Sequence, residues 1–201
     1  MKLLSDSDCK FITIGNLRIR YVDKNVGGRT LLLVHGLGGS LESWTNNIQY
    51  LSSRFRVIAL DLPGFGLSDK PRIDYTIKFY VSFLRKFVKK LNLASLVLIG
   101  SSLGGHIAVE FTLKNMKLVQ KMILVSPAGS PPKSFRGTSV SKRYFGIIRA
   151  ESSNEVKKIL SSIDNSTIED THVETVFRQL SLPGARHAFN SALKGSAMAP
   201  I

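Results

Sequence analysis

The five residues Gly100-Ser101-Ser102-Leu103-Gly104 constrain this chain more than any other stretch. An apolar run from Ser95 to Ile99 leads into them and an amphipathic segment leads away, so a strand enters and a helix leaves. Such a corner holds its central residue in a strained backbone conformation and brings strand and helix almost into contact, which only very small neighbours allow. Gly100 and Gly104 supply that smallness, two positions on either side of Ser102. Ser101 would instead be flanked by Ile99 and Leu103, so the register selects Ser102. G-x-S-x-G in a strand-turn-helix setting is the pattern of an exposed serine nucleophile. Glycine and serine also make ordinary turns, so the pattern takes its meaning from its company.

That company comes in chain order. Phe11–Ile14 and Leu17–Val22 flank Gly15-Asn16, which reads as a tight hairpin. The second of these strands alternates apolar and polar residues, predicting one buried face. Thr30–Val34 does not alternate and reads as a strand covered on both faces. It runs into His35-Gly36-Leu37-Gly38-Gly39-Ser40, where Ser40 is placed to cap a helix carrying Leu41, Trp44, Ile48 and Leu51 on one side. The strand Arg56–Asp61 ends in the turn-rich run Leu62 to Pro71. A helix is predicted from Tyr75 to Leu91, then another from Leu103 to about Asn115, then a strand over Lys121–Ser126. Strands alternating with helices imply a doubly wound, mostly parallel sheet with an antiparallel hairpin at its start. Ligand sites in such sheets lie at the carboxyl ends of the strands, where the glycine loops at 36–39, 64–66 and 104–105 fall.

After Pro127 the pattern changes. Prolines, glycines and serines give way to helical spacings: Val156, Ile159, Leu160 and Ile163; Val173, Val176, Phe177 and Leu180; Ala185, Phe189 and Leu193. The expected organisation is therefore a core over 1–127 and a helical lid over 128–201.

Composition bounds the rest. With 201 residues, 43% hydrophobic and 21% charged, the chain has the makings of one globular domain with a sizeable core. No apolar run is long enough to cross a bilayer, and the first residues turn polar too soon for a signal peptide. A lone cysteine, Cys9, points to a reducing cytoplasm. The net charge of +14 raises nucleic acid or an anionic membrane surface as a partner, but the lysines and arginines are spread through the sequence without interleaved aromatics, so solvated faces are the expectation. No cofactor or metal is expected.

Three motifs stand at strand ends in order: His35-Gly36-Leu37-Gly38, then Asp61-Leu62-Pro63-Gly64-Phe65-Gly66-Leu67-Ser68-Asp69, then the serine corner. Together they resemble the α/β-hydrolase superfamily, in the branch of esterases, carbon-carbon bond hydrolases, epoxide hydrolases and cofactor-free haloperoxidases. The resemblance is close over about residues 9–130 and looser in the lid. It implies Ser102 as nucleophile and the backbone N–H groups of Leu37 and Leu103 as an oxyanion hole. It implies His35, Gly36, Gly38, Asp61, Gly100 and Gly104 as residues that organise the loops, with His35 not the base and Asp61 not an acid catalyst. Serine, where epoxide hydrolases carry aspartate, favours acyl transfer from a small-molecule substrate. Trp44, Phe65, Phe135, Tyr144 and Phe177 are candidate pocket walls, or plain packing.

The resemblance also implies an acid and a histidine after Ser102, each following a further strand, and no such strands are legible. His106, His172 and His187 follow Ser102, and Asp164 or Asp170 with His187 has the right order, but none follows a core strand that would hold it rigidly. The expectation is a core that stops short of its last strands. That leaves the strand at 121–126 on an open edge and the chain itself with little turnover. A catalytically silent ligand-binding protein of the same fold is the alternative.

Overall fold

A computed structural model of the chain describes residues 8–129, 145–164 and 168–197. Six strands form one sheet in the order β1-β2-β4-β3-β5-β6: β1 Cys9–Ile14, β2 Leu17–Lys24, β3 Thr30–Val34, β4 Arg56–Leu60, β5 Leu96–Ser101 and β6 Val119–Val125. The first two are an antiparallel hairpin, β2 is also antiparallel to β4, and β4, β3, β5 and β6 are parallel. β3 lies between its later neighbours, so the loops that leave β3, β4 and β5 emerge side by side at one end of the sheet. His35, Asp61 and Ser102 begin those three loops.

Helices cover the sheet. α1 spans Thr45–Leu51, α2 Ile77–Lys90 and α3 Leu103–Lys114. α2 begins where Thr76 accepts the Phe79 N–H at 3.2 Å and turns Tyr80, Phe83, Leu84 and Phe87 into the core. Tyr75, expected inside this helix, precedes it, and its hydroxyl donates to the Pro71 carbonyl at 2.8 Å. Three further helices, α4 Ser153–Asp164, α5 Asp170–Leu180 and α6 Ala185–Ala192, follow the core. The last of them lies on the strand-end loops: a Cβ on Gly38 would come within 2.6 Å of the Phe189 ring, and one on Gly64 within 2.9 Å of the Ala188 Cβ.

Two local readings of the sequence need correcting. Ser40 does not cap a continuous helix: Leu41–Trp44 is a 3-10 turn before α1, Ser40 makes no side-chain cap bond, and the Leu41 N–H goes instead to the Asp61 carboxylate at 2.8 Å. A partner 20 residues away has outcompeted the local one. Nor does β2 expose its polar face at Arg20, which keeps 5% of its surface because its guanidinium is neutralised by Asp61 and Glu42. Among the described residues β6 does stand at an open edge, with Met122, Ile123, Leu124 and Val125 each more than a third exposed. Among the described residues no helix is long and apolar enough to cross a membrane.

Candidate active site

The β5–α3 corner fixes Ser102 with φ +50 and ψ −116, a region that costs a non-glycine residue about 1–3 kcal/mol. Backbone bonds on every side hold it there. The Ser102 N–H donates to the Val125 carbonyl at 2.9 Å, and the Ser102 carbonyl accepts from Ala128 at 2.9 Å and His106 at 3.1 Å. The glycines are close-packed for the reason their spacing suggested. A Cβ on Gly100 would lie 2.5 Å from the Gly104 carbonyl carbon, and one on Gly104 would lie 2.6 Å from the His35 carbonyl oxygen. Leu103 opens α3, so its N–H has no carbonyl four residues back to bond.

The loop after β3 comes to the same place. A Cβ on Gly36 would sit 3.1 Å from the Ser102 Cβ and 3.7 Å from its Oγ. The Gly39 N–H closes a turn onto the Gly36 carbonyl at 3.1 Å, and Gly38 sits at φ +72 where a side chain would be strained.

His35 ties this loop to the next. Its ring is wholly buried; Nε2 accepts the Leu62 N–H at 3.0 Å, so the ring proton sits on Nδ1 and is donated to the Gly36 carbonyl, 2.7 Å away. Burial holds the ring below its ordinary pKa, outweighing the pull of the nearby Asp61 carboxylate. With both nitrogens engaged in this neutral form, His35 is a structural link.

Asp61 is the second link and has no exposed surface. Its Oδ2 accepts from Arg20 Nε at 2.6 Å and from the Leu67 N–H at 2.7 Å, while Oδ1 takes the Leu41 N–H. Arg20 reaches Glu42 as well, at 2.7 Å. Burial alone would lower the Arg20 pKa, but the two carboxylates more than reverse that and raise it. Glu42 ends below its ordinary value because bonds from Arg20 and Ser40 outweigh its own burial. The Ser68 hydroxyl, between the Arg20 N–H at 2.9 Å and the Asp61 carbonyl at 2.8 Å, completes the clamp. Arg20, Glu42 and Ser68 carried no sequence signal of this role, since nothing local marks a partner 41 residues away.

Over this floor lies a cavity of about 470 Å³. Leu37, Trp44, Val125, Ile147, Leu160, Val176 and Phe189 give it apolar walls, and Gly36, Gly38 and Ser101 border it. Trp44 thus sits at the cavity. Phe65 packs behind it, its ring 5.7 Å from His35 and 6.5 Å from Phe189. Phe177 is half-buried against the core, and Phe135 and Tyr144 lie outside the described residues. Of the histidines among the described residues, only His35 lines this cavity. His106 is buried within α3, and His187 bonds the Ile73 carbonyl at 3.0 Å on another face of α6. The side chains of His172 and Asp164 lie outside the described residues, and Asp170 pairs with Lys157 at 2.6 Å on the surface.

The chain is similar to known proteins. The chain is 28% identical over 189 residues to the dihydrolipoyllysine-residue acetyltransferase component of the acetoin cleaving system of Cupriavidus necator, covering 92% of this chain and 49% of that protein. It is 34% identical over 124 residues to a 2-hydroxy-6-oxo-6-(2'-aminophenyl)hexa-2,4-dienoic acid hydrolase of Metapseudomonas resinovorans, covering 60% of this chain and 42% of the relative. The chain thus spans half or less of the length of these relatives. A meta-cleavage product hydrolase of Pseudomonas fluorescens IP01 superposes with a TM-score of 0.78 at 24% identity, over 96% of this chain and 73% of its own, and shares the fold. The family model for the alpha/beta hydrolase fold matches residues 29–154, which take in all three strand-end motifs, and the chain belongs to that family.

Proposed function

We propose that this chain carries the nucleophile and the oxyanion site of a serine hydrolase that acts on esters or related acyl compounds through an acyl-enzyme. The observation behind this reading is the pinned corner at Ser102, with the Gly36 loop against its side chain. The Ser102 oxygen attacks the substrate carbonyl carbon, and the carbonyl electrons move onto oxygen. The N–H groups of Leu37 and Leu103 receive that oxyanion, each worth about 3 kcal/mol in the transition state. Collapse expels the alcohol, which takes up the serine proton, and water later releases the acid. The apolar walls favour a small uncharged acyl group.

Such chemistry needs a base at Ser102, and the cavity's described lining offers none, because His35 is spoken for. The chain by itself is therefore assigned slow turnover. A cytoplasmic setting belongs to the same proposal, on the strength of a sequence that holds a single cysteine, Cys9. So does the division into core and cap near residue 127. The test is covalent labelling by a fluorophosphonate, located by peptide mass spectrometry. Slow labelling confined to Ser102, quickened by added imidazole as an external base and lost in Ser102→Ala, is expected. A chain that leaves the reagent unreacted even with imidazole present, yet takes up an apolar ester, would favour the silent ligand-binding protein.

A further inference from the structure

A second concavity, about 430 Å³, lies on the seam between the core and α6, away from Ser102. The core contributes Lys70 and Arg72 from the loop after β4, and the cap contributes Ser181, Leu182, Pro183, Arg186 and His187. The two sides are in direct contact: a Cβ on Gly184 would lie 3.1 Å from the Lys70 Cβ, and His187 holds the Ile73 carbonyl. Among the described residues no carboxylate lines this groove, and its lining includes three basic residues, Lys70, Arg72 and Arg186.

Two of the three head groups, those of Lys70 and Arg186, are held by hydrogen bonds. Lys70 Nζ donates to the carbonyls of Gly66 at 2.7 Å and Ser68 at 2.8 Å. Arg186 donates to the carbonyls of Ile148 and, at 2.8 Å, Ala150. Neutral carbonyls hold the cations without cancelling their charge, and each head group keeps donors to spare. Burial pushes the Lys70 ammonium below its ordinary pKa even though the Asp61 and Asp69 charges draw it back, so an added anion would be welcome there. We propose that this groove binds a dianionic phosphate group, as a phosphomonoester whose organic remainder lies along Leu182 and Pro183. Bound there, phosphate bridges Lys70 and Arg72 of the core to Arg186 of the cap and clamps α6 onto the core.

Titration calorimetry with inorganic phosphate and with glycerol 3-phosphate, at ionic strength held constant with chloride, tests this. Saturable binding is expected, weakened about tenfold by Arg72→Gln, whose side chain is exposed, and unchanged by Lys89→Gln on the exposed face of α2. Co-sedimentation with phosphatidylcholine vesicles containing phosphatidic acid distinguishes the source: Arg72-dependent retention on vesicles without uptake of the soluble esters assigns the phosphate to a lipid headgroup. No saturable uptake in either arm, or equal losses in the two variants, overturns the proposal. Uptake does not require Ser102 to react, so this site and the hydrolase reading stand or fall separately.

Discussion

Arg20 and Asp61, 41 residues apart in sequence, meet at 2.6 Å with almost no surface left to either side chain. Through that pair the hairpin, the 3-10 turn at Leu41 and the loop after β4 become one rigid support for the Gly36 loop. Replacing Asp61 by Asn leaves Arg20 charged and buried and turns an NH2 group toward the donors that Asp61 accepts. The expected loss is about 3–5 kcal/mol in urea denaturation. A loss under about 1 kcal/mol would show that the clamp adds little to the fold.

The neutral, buried His35 gives the fold a pH dependence of definite sign. Its pKa in the folded chain lies below the unfolded value near 6.5, because burial penalises the charged ring. Below pH 6.5 the unfolded chain binds a proton that the folded chain refuses, so stability falls as pH drops through that value. Above it, His35 has no effect on the slope. The melting temperature should decline between pH 7 and pH 5.5 and do so less steeply in His35→Gln, whose carbonyl can still accept from Leu62. Parallel curves for the two proteins would count against it.

How far the sequence reaches is decided by the range of each interaction. The Ser102 corner was legible because everything that defines it, two small residues and a change of period, lies within a few positions. β6 on the edge was legible because only a missing neighbour was needed. Arg20 was not: strand alternation placed it outside, and only the folded chain shows that Asp61 and Glu42 meet it there. The same applies to the start at Leu41, where a serine with the right local chemistry lost to a carboxylate with the better geometry. The cavity combines both cases. Its Gly36 loop came from a motif, but Ile147, Leu160, Val176 and Phe189 are ordinary apolar positions of amphipathic helices until those helices fold over the sheet.

Glycine at the corner is a steric demand, separable from backbone freedom. Gly104→Ala would drive a methyl group into the His35 carbonyl oxygen, and backbone on both sides cannot retreat. The expected cost is about 3 kcal/mol or more, or failure to fold. Gly15→Ala in the hairpin meets nothing within 4 Å and pays only for its φ of +66, about 1–2 kcal/mol. Chemical denaturation of the two variants should separate them clearly. Equal losses would mean that strand and helix are not in contact at Gly104.

The open edge should make the chain self-associate. Among the described residues no strand pairs with the outer side of β6, beside Ile123 and Val125, which are 49% and 45% exposed. Sedimentation velocity at rising concentration should show association, and Ile123→Lys should suppress it while leaving the melting temperature within a degree or two. A wild-type chain that stays monodisperse at about 100 μM would remove this expectation.

Phe189 couples the cap to the candidate site, because its ring leans on Gly38 and also walls the cavity. Truncation to Ala removes a side chain that is 3% exposed, so about 3–4 kcal/mol of stability should go with it. The same change widens the cavity beside the Gly36 loop without touching Ser102 or its backbone bonds. If the pocket wall limits access, fluorophosphonates with bulky groups should label Phe189→Ala faster relative to small ones than they label the parent chain. Phe189→Leu, which keeps most of the packing, should shift the ratio the same way at a smaller loss of stability. An unchanged ratio in both variants would mean that the ring supports the cap but does not bound the space the reagent enters.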